Sequence, residues 1–165
     1  AKRIDAKVLK ANVHPLEQDP IASLRNDFFQ FMIGNTDFSA AKQHNEDLFY
    51  VNNEILPVPY DFDMSGLVNA SYALVGNTQK GPLKITSVTQ RQYRGFKRNP
   101  SLVEKVKNEF IENRIKLIQV VTDLKPYFEN ENEYDKAYAY ITSFFEIVMN
   151  ASKFNSYITA EMRDQ

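Results

Sequence analysis

Apolar residues in the first 18 positions come in short groups (Ile4, Val8, Leu9, Val13) broken by charge and closed by His14-Pro15. That pattern reads as a strand or extended arm. From Asp19 the spacing becomes helical, with Ile21, Leu24, Phe28, Phe31 and Met32 on one face. Asp19 can accept the unpaired amide hydrogens of a helix start, Pro20 suits the first turn, and Gly34 offers the left-handed residue at which helices end. Residues 48–51 and 55–60 are apolar runs on either side of Asn52-Asn53, a favourable turn pair, and they predict a β-hairpin. Pro57 and Pro59 make its second strand an edge strand or an irregular one. Residues 61–86 show little periodicity and contain Gly66, Gly76, Gly81 and Pro82, as a long ordered loop would.

The remainder reads as helical. Residues 87–97 predict a short helix. Asn99-Pro100 opens a long one, along which Val103, Val106, Phe110, Leu117, Val121 and Leu124 form a stripe up to the stop at Pro126. Asn130 or Asn132 caps a further helix carrying Tyr134, Tyr138, Ile141, Phe145 and Val148, and residues 152–165 add a final turn or two. The expected fold class is α+β, mostly α, with a small β-hairpin among several helices. A single domain is expected over residues 1–165: an arm (1–18), a motif-bearing helix, hairpin and loop (19–86), and a helical part (87–165).

Composition narrows the function classes. With 20 basic and 21 acidic side chains the net charge is −1, which provides no electrostatic footprint for nucleic acid or an anionic membrane surface. No apolar run approaches the roughly 20 residues of a membrane span. Lys2, Arg3, Lys7 and Lys10 interrupt every apolar stretch at the start, so no signal-peptide pattern is read there. The absence of cysteine excludes disulfides, a thiol nucleophile and thiolate metal sites.

Candidate chemistry concentrates between Asp37 and Asp63. The hairpin would bring Asn45 and Asp61 to one end, since one strand leaves that end and its partner returns to it. Asp37, on the loop leading in, can reach the same place. Asn and Asp supply hard oxygen ligands of the kind that hold Mg²⁺ or Mn²⁺ together with phosphate oxygens. A further carboxylate beside them can orient a hydroxyl and accept its proton. His44 reads as a hydrogen-bond partner, because Mg²⁺ avoids imidazole. Each of these residues also has a plainer reading as a turn or capping residue. Arg91, Arg94, Lys97 and Arg98 form a basic group downstream, either a solvated helix face or a hold on a phosphate-bearing substrate, with Arg94 the residue to test. The segment from Gly76 to Gly81 begins like a phosphate loop, but Pro82 stands where the lysine should be.

The segment Ile33-Gly34-Asn35-Thr36-Asp37, then His44-Asn45, a strand, and Pro59-Tyr60-Asp61-Phe62-Asp63 resembles the catalytic lobe of atypical protein-kinase-like phosphotransferases. Those families are typified by the spore-coat kinase CotH and the toxin kinase HipA. The segment is also similar to a group of uncharacterised bacterial proteins with the same Ile-Gly-Asn-Thr-Asp and Pro-Tyr-Asp-Phe-Asp motifs. The resemblance runs over residues 28–72 and extends weakly through Arg91-Gln92-Tyr93-Arg94-Gly95. It implies a kinase-like C-terminal lobe in which Asp37 positions the acceptor hydroxyl, Asn45 and Asp61 hold Mg or Mn, and Asp63 assists. It implies ATP as the nucleotide, and a separate N-terminal lobe that carries the glycine-rich loop and the nucleotide-anchoring lysine. This chain would then be part of a two-lobed protein and inactive alone. Asp37 and Asn45 stand eight positions apart, against about five in the common kinase catalytic loop.

Two other classes compete. Asp61-Phe62-Asp63 after an apolar strand also suits a metal-dependent phosphatase or a glycosyltransferase, although the phosphatase fold needs βαβ units after the motif. The aromatic load, 12 Phe and 9 Tyr, would also serve a non-catalytic helical interaction domain with Tyr134, Tyr138 and Phe145 on its face.

Overall fold

The computed structural model describes residues 6–39, 41–78 and 81–164. It is an α+β structure, mostly helical. Strand β1 (Lys7–Leu9) leads through a 3-10 turn (Pro15–Glu17) into helix α1 (Pro20–Ile33). Strands β2 (Glu46–Val51) and β3 (Glu54–Pro59) follow, then a long loop carrying the two-residue strands β4 (Asn77–Thr78) and β5 (Gly81–Pro82). Helices α2 (Pro100–Glu112), α3 (Arg114–Asp123), α4 (Glu131–Val148) and α5 (Ala151–Tyr157) complete the chain, with a 3-10 turn at Thr159–Glu161. Ile4 of the expected arm, and Gln79 and Lys80 of the phosphate-loop decoy, lie outside the described residues.

Helix α1 is the element on which the rest is arranged. The Asp19 carboxylate accepts the Ala22 N–H at 2.7 Å, and Pro20 takes the first position. At the other end Gly34 is left-handed (φ 67°), and a Cβ there would lie 1.8 Å from the Tyr140 hydroxyl, so both backbone and space call for glycine. Leu24, Phe28, Phe31, Met32 and Ile33 are buried, and so are the polar Asn26, Asp27 and Gln30. The helix is thus covered by α2 and α4 on one side and by the hairpin on the other.

The three-stranded sheet is antiparallel in the order β1-β2-β3, with Val8 opposite Phe49 and Leu48 opposite Pro57. Asn52 and Asn53 both have positive φ (51° and 66°), as a two-residue hairpin turn requires. β3 is an edge strand, where its prolines need not donate to a neighbour. The core beneath is aromatic: Phe28 meets Phe110 at 5.7 Å between ring centroids, Phe110 meets Phe144 at 5.7 Å, and Phe144 meets Phe145 at 5.1 Å. Tyr134 and Phe145 of the possible interaction stripe are buried, whereas Tyr138 is exposed. Asn130, rather than Asn132, caps α4 by accepting the Glu133 N–H. No helix among the described residues is long and apolar enough to cross a membrane.

Two expectations are corrected. Residues 87–97 form no helix; they run as an irregular strap whose Phe96 bridges Arg163 in parallel. Tyr93 is buried, and the Arg91 guanidinium binds main-chain carbonyls at the end of α1, partners that a free-standing helix at residues 87–97 would not have placed. The long helix from Pro100 is also two helices. Asn113 breaks it, with its own side-chain amide donating to the Glu109 carbonyl at 2.8 Å in competition with the helical ladder. Val103, Val106 and Val121 of the stripe are buried, but Leu124 at its end is exposed.

Candidate functional site

The loop leaving α1 is shaped by its own polar side chains. Asn35 is buried, and its Oδ1 accepts the Asp37 main-chain N–H at 3.0 Å. The loop closes where Ser39 and His44 bridge, the Ser39 N–H donating to the His44 carbonyl at 2.9 Å. Asn45 then enters β2 in the left-handed conformation (φ 54°), which Asn tolerates better than most residues. The result is a cluster around one carboxylate. Asp37 Oδ1 lies 3.1 Å from His44 Nε2, and Asp37 Oδ2 accepts from Asn45 Nδ2 at 3.1 Å. Asn45 Nδ2 also donates to the Asp37 carbonyl at 2.8 Å.

The second half arrives along β3. The Tyr60 N–H donates to the Asn45 carbonyl at 3.0 Å, one rung beyond the strands, so Asp61 leaves the hairpin beside Asn45. Asp61 is exposed and left-handed (φ 57°). Phe62 turns inward and meets Phe29 edge-on at 5.4 Å. Asp63 accepts the Tyr72 hydroxyl at 3.1 Å. The loop is then tied to the end of α1, with Gly66 N–H donating to the Gly34 carbonyl and Leu67 N–H to that of Ile33. A Cβ on Gly66 would lie 2.4 Å from the Val88 carbonyl oxygen, so only glycine allows that approach. Asp37, His44, Asn45 and Asp61 are therefore brought to one end of the hairpin, and Asp63, two residues on, is hydrogen-bonded to Tyr72.

The basic group at residues 91–98 is turned inward for the most part. Arg94 Nη1 donates to the carbonyls of Thr36 and Phe38, the residues flanking Asp37, at 2.9 Å in the case of Phe38. Burial lowers its pKa to about 10, the neighbouring Arg163 adding to that effect while Asp37 and Asp27 oppose it. Arg91 donates to the carbonyls of Phe31, Met32 and Tyr140 and to the Ser143 hydroxyl, and its guanidinium lies 3.8 Å from the centroid of the Tyr140 ring. Arg98 donates to the carbonyls of Pro15 and Leu16. Lys97 alone of the group is exposed, paired with Asp164.

Sequence reasoning missed a buried polar layer beneath the site. Glu46 is fully buried and accepts from Asn26 Nδ2 at 2.5 Å; burial pushes its carboxyl up to about 7, against the pull of that bond. Burial likewise pushes Asp27 up to about 7, with Arg163, Arg98 and Arg94 pulling down and Glu46 pushing up. The available signal was Glu46 at the alternation step of Leu48, on the inner face of β2, with Asn26 and Gln30 one helical turn apart on α1.

The donor set can be tested against a divalent ion. Among the described residues no three His, Cys, Asp or Glu side chains form a metal-holding group. A Mg²⁺ or Mn²⁺ ion shared with a nucleotide needs only one or two side-chain carboxylates, the rest coming from phosphate and water. Asn45, whose amide nitrogen is engaged by Asp37, has Oδ1 left to offer, and the exposed Asp61 adds a carboxylate. That set fits. A separate open cleft of about 620 Å³, lined by Lys84, Gln92, Glu146, Lys153 and Glu161 among others, includes none of these residues. Compared with known proteins, the chain matches no family model, no curated protein and no solved structure.

Proposed function

We propose that this chain is a kinase-like phosphotransferase lobe that, in the complete protein, takes part in Mg- or Mn-dependent transfer of a phosphoryl group from a nucleotide, ATP by the resemblance, to a hydroxyl. The observation that carries the reading is the Asp37 carboxylate held by His44 and Asn45 at the hairpin end from which Asp61 emerges. Two N–H donors leave Asp37 lone pairs to accept a hydrogen bond from an acceptor hydroxyl, orient it and take its proton. Asn45 through Oδ1 and Asp61 would hold the ion, with Asp63 assisting. When bound, the ion would supply positive charge against the negative charge developing on the transferred phosphoryl group. Arg94 serves the same reaction through the main chain on either side of Asp37. The phosphatase alternative has less support: after Asp63 the described residues form a loop, a short antiparallel ribbon and helices, with no βαβ unit. A separate lobe would anchor the nucleotide, so the chain alone is expected to be inactive.

The test is anomalous diffraction from crystals soaked in millimolar Mn²⁺ with ATP, and Asp61→Ala as control. The expected result is an Mn²⁺ peak bound by Asp61 and Asn45 with Asp37 beside it, lost in the variant. No peak there would overturn Asn45 and Asp61 as the holders of the ion in this chain and make the helical interaction domain the better account.

A further inference from the structure

Beneath the candidate site, between α1 and the hairpin, a line of buried amides runs from Asp37 to a carboxyl group. The Asp37 main-chain N–H donates to Asn35 Oδ1 at 3.0 Å, and Asn35 Nδ2 donates to Gln30 Oε1 at 2.9 Å. Gln30 Nε2 donates to Asn26 Oδ1 at 3.5 Å, the longest link, and Asn26 Nδ2 donates to Glu46 Oε2 at 2.5 Å. The line then closes on itself. Glu46 is the chain neighbour of Asn45, whose side-chain amide donates to Asp37.

The direction of every bond is set from one end. A main-chain N–H can only donate, so Asn35 must present its oxygen to Asp37 and its nitrogen to Gln30, and the same choice passes to Asn26 and on to Glu46. Bonds aligned this way polarise one another in a low-dielectric interior. Gln30 and Asn35 are each 1% exposed and Glu46 is 0% exposed, so water does not compete for these groups. Apolar side chains of the same size would fill this space without any need for amides. We propose that Asn26, Gln30, Asn35 and Glu46 are positioning residues that hold the Asp37 loop in register with Asn45. The consequence for catalysis rests on the phosphotransferase reading; the geometry does not.

The experiment is amide hydrogen exchange by NMR on the full chain, with Mn²⁺·ATP titration alongside. Gln30→Met keeps the volume and removes both links, one step away from Asp37. Exchange at the Asp37 N–H and the Asn45 side-chain amide is expected to quicken roughly tenfold or more relative to the amides of Phe28 and Phe144. Mn²⁺·ATP affinity is expected to fall roughly tenfold, as when a ligand loses its outer support. Asn35→Ala, which cuts the last link, sets the scale for complete loss. Should Gln30→Met not fold, Asn26→Leu gives the same readout from two links away. A lower melting point with Asp37 and Asn45 exchange unchanged would overturn the inference and leave Gln30 a core residue only. A wild-type chain that does not bind Mn²⁺·ATP would remove Asn45 and Asp61 as ion ligands in this chain, while the exchange result would still decide this inference.

Discussion

Asp37 and Asp61 stand at the same end of one hairpin and are held in opposite ways. The Asp37 side chain is 35% exposed, accepts from His44 and Asn45, and lies on a main chain pinned by Asn35 behind it and Arg94 on both sides. Asp61 is exposed, and its neighbour Asp63 is bonded to Tyr72, which is itself 60% exposed. The difference suits a division of labour. A group that must orient a reacting hydroxyl benefits from being fixed before substrate arrives. Groups that share an ion with phosphate oxygens can take their final position with the ligand. Both halves nonetheless hang from the end of α1, through Asn35 in one case and through Gly66 and Leu67 in the other.

The largest effect is expected where that common support is cut. Arg91→Ala removes donors to the carbonyls of Phe31, Met32 and Tyr140 and the stacking on Tyr140, and should cost about 3 kcal/mol in urea unfolding. Arg91→Lys should recover little of it, because an ammonium cannot span those partners as a planar fork does. A loss below about 1 kcal/mol would mean that α1 does not depend on the strap.

A pH effect of intermediate size tests the buried foundation of the Asp37 side. The Asp27 carboxyl has a pKa raised from 3.8 to about 7 by burial. Between those values the folded chain keeps a proton that the unfolded chain has lost. This contribution to stability is therefore full below about pH 4 and is lost as pH rises toward 7. Asp27→Asn should flatten the fall in melting temperature across that window; parallel curves for the two proteins would remove Asp27 as the source.

The smallest effect sharpens the contrast directly. Asp37→Ala removes the carboxylate that accepts from His44 and Asn45, leaving Asn45 its bond to the Asp37 carbonyl, and should cost about 1 kcal/mol. Asp61→Ala, at an exposed position, should stay within about 0.5 kcal/mol. Equal costs in matched urea titrations would erase the distinction.

Much of this was legible from local rules. Asp19, Pro20 and Gly34 mark the limits of α1, Asn52-Asn53 marks the hairpin turn, and the hairpin itself accounts for Asn45 and Asp61 sharing an end. Other features were not legible, because their causes are distant in the chain. Arg91 looks like a surface helix residue until its partners are known, and they lie 60 residues away at Phe31 and 52 away at Ser143. Asn113 falls within an unbroken apolar stripe, and only its bond to the Glu109 carbonyl distinguishes a break from a continuing helix. Glu46 reads as one more charge at the start of a strand until α1 covers it and Asn26 meets it.

By itself, then, the sequence determined the elements whose signals lie within a few residues of each other: a capped helix, a two-residue turn, an edge strand with prolines, and the acids and amides at their ends. Tertiary structure alone decided which polar groups are buried and what they bind. A guanidinium or carboxyl removed from water must find partners wherever the fold places them. Here the partners of Arg94 are the carbonyls around Asp37, and the partner of Glu46 is an amide on α1.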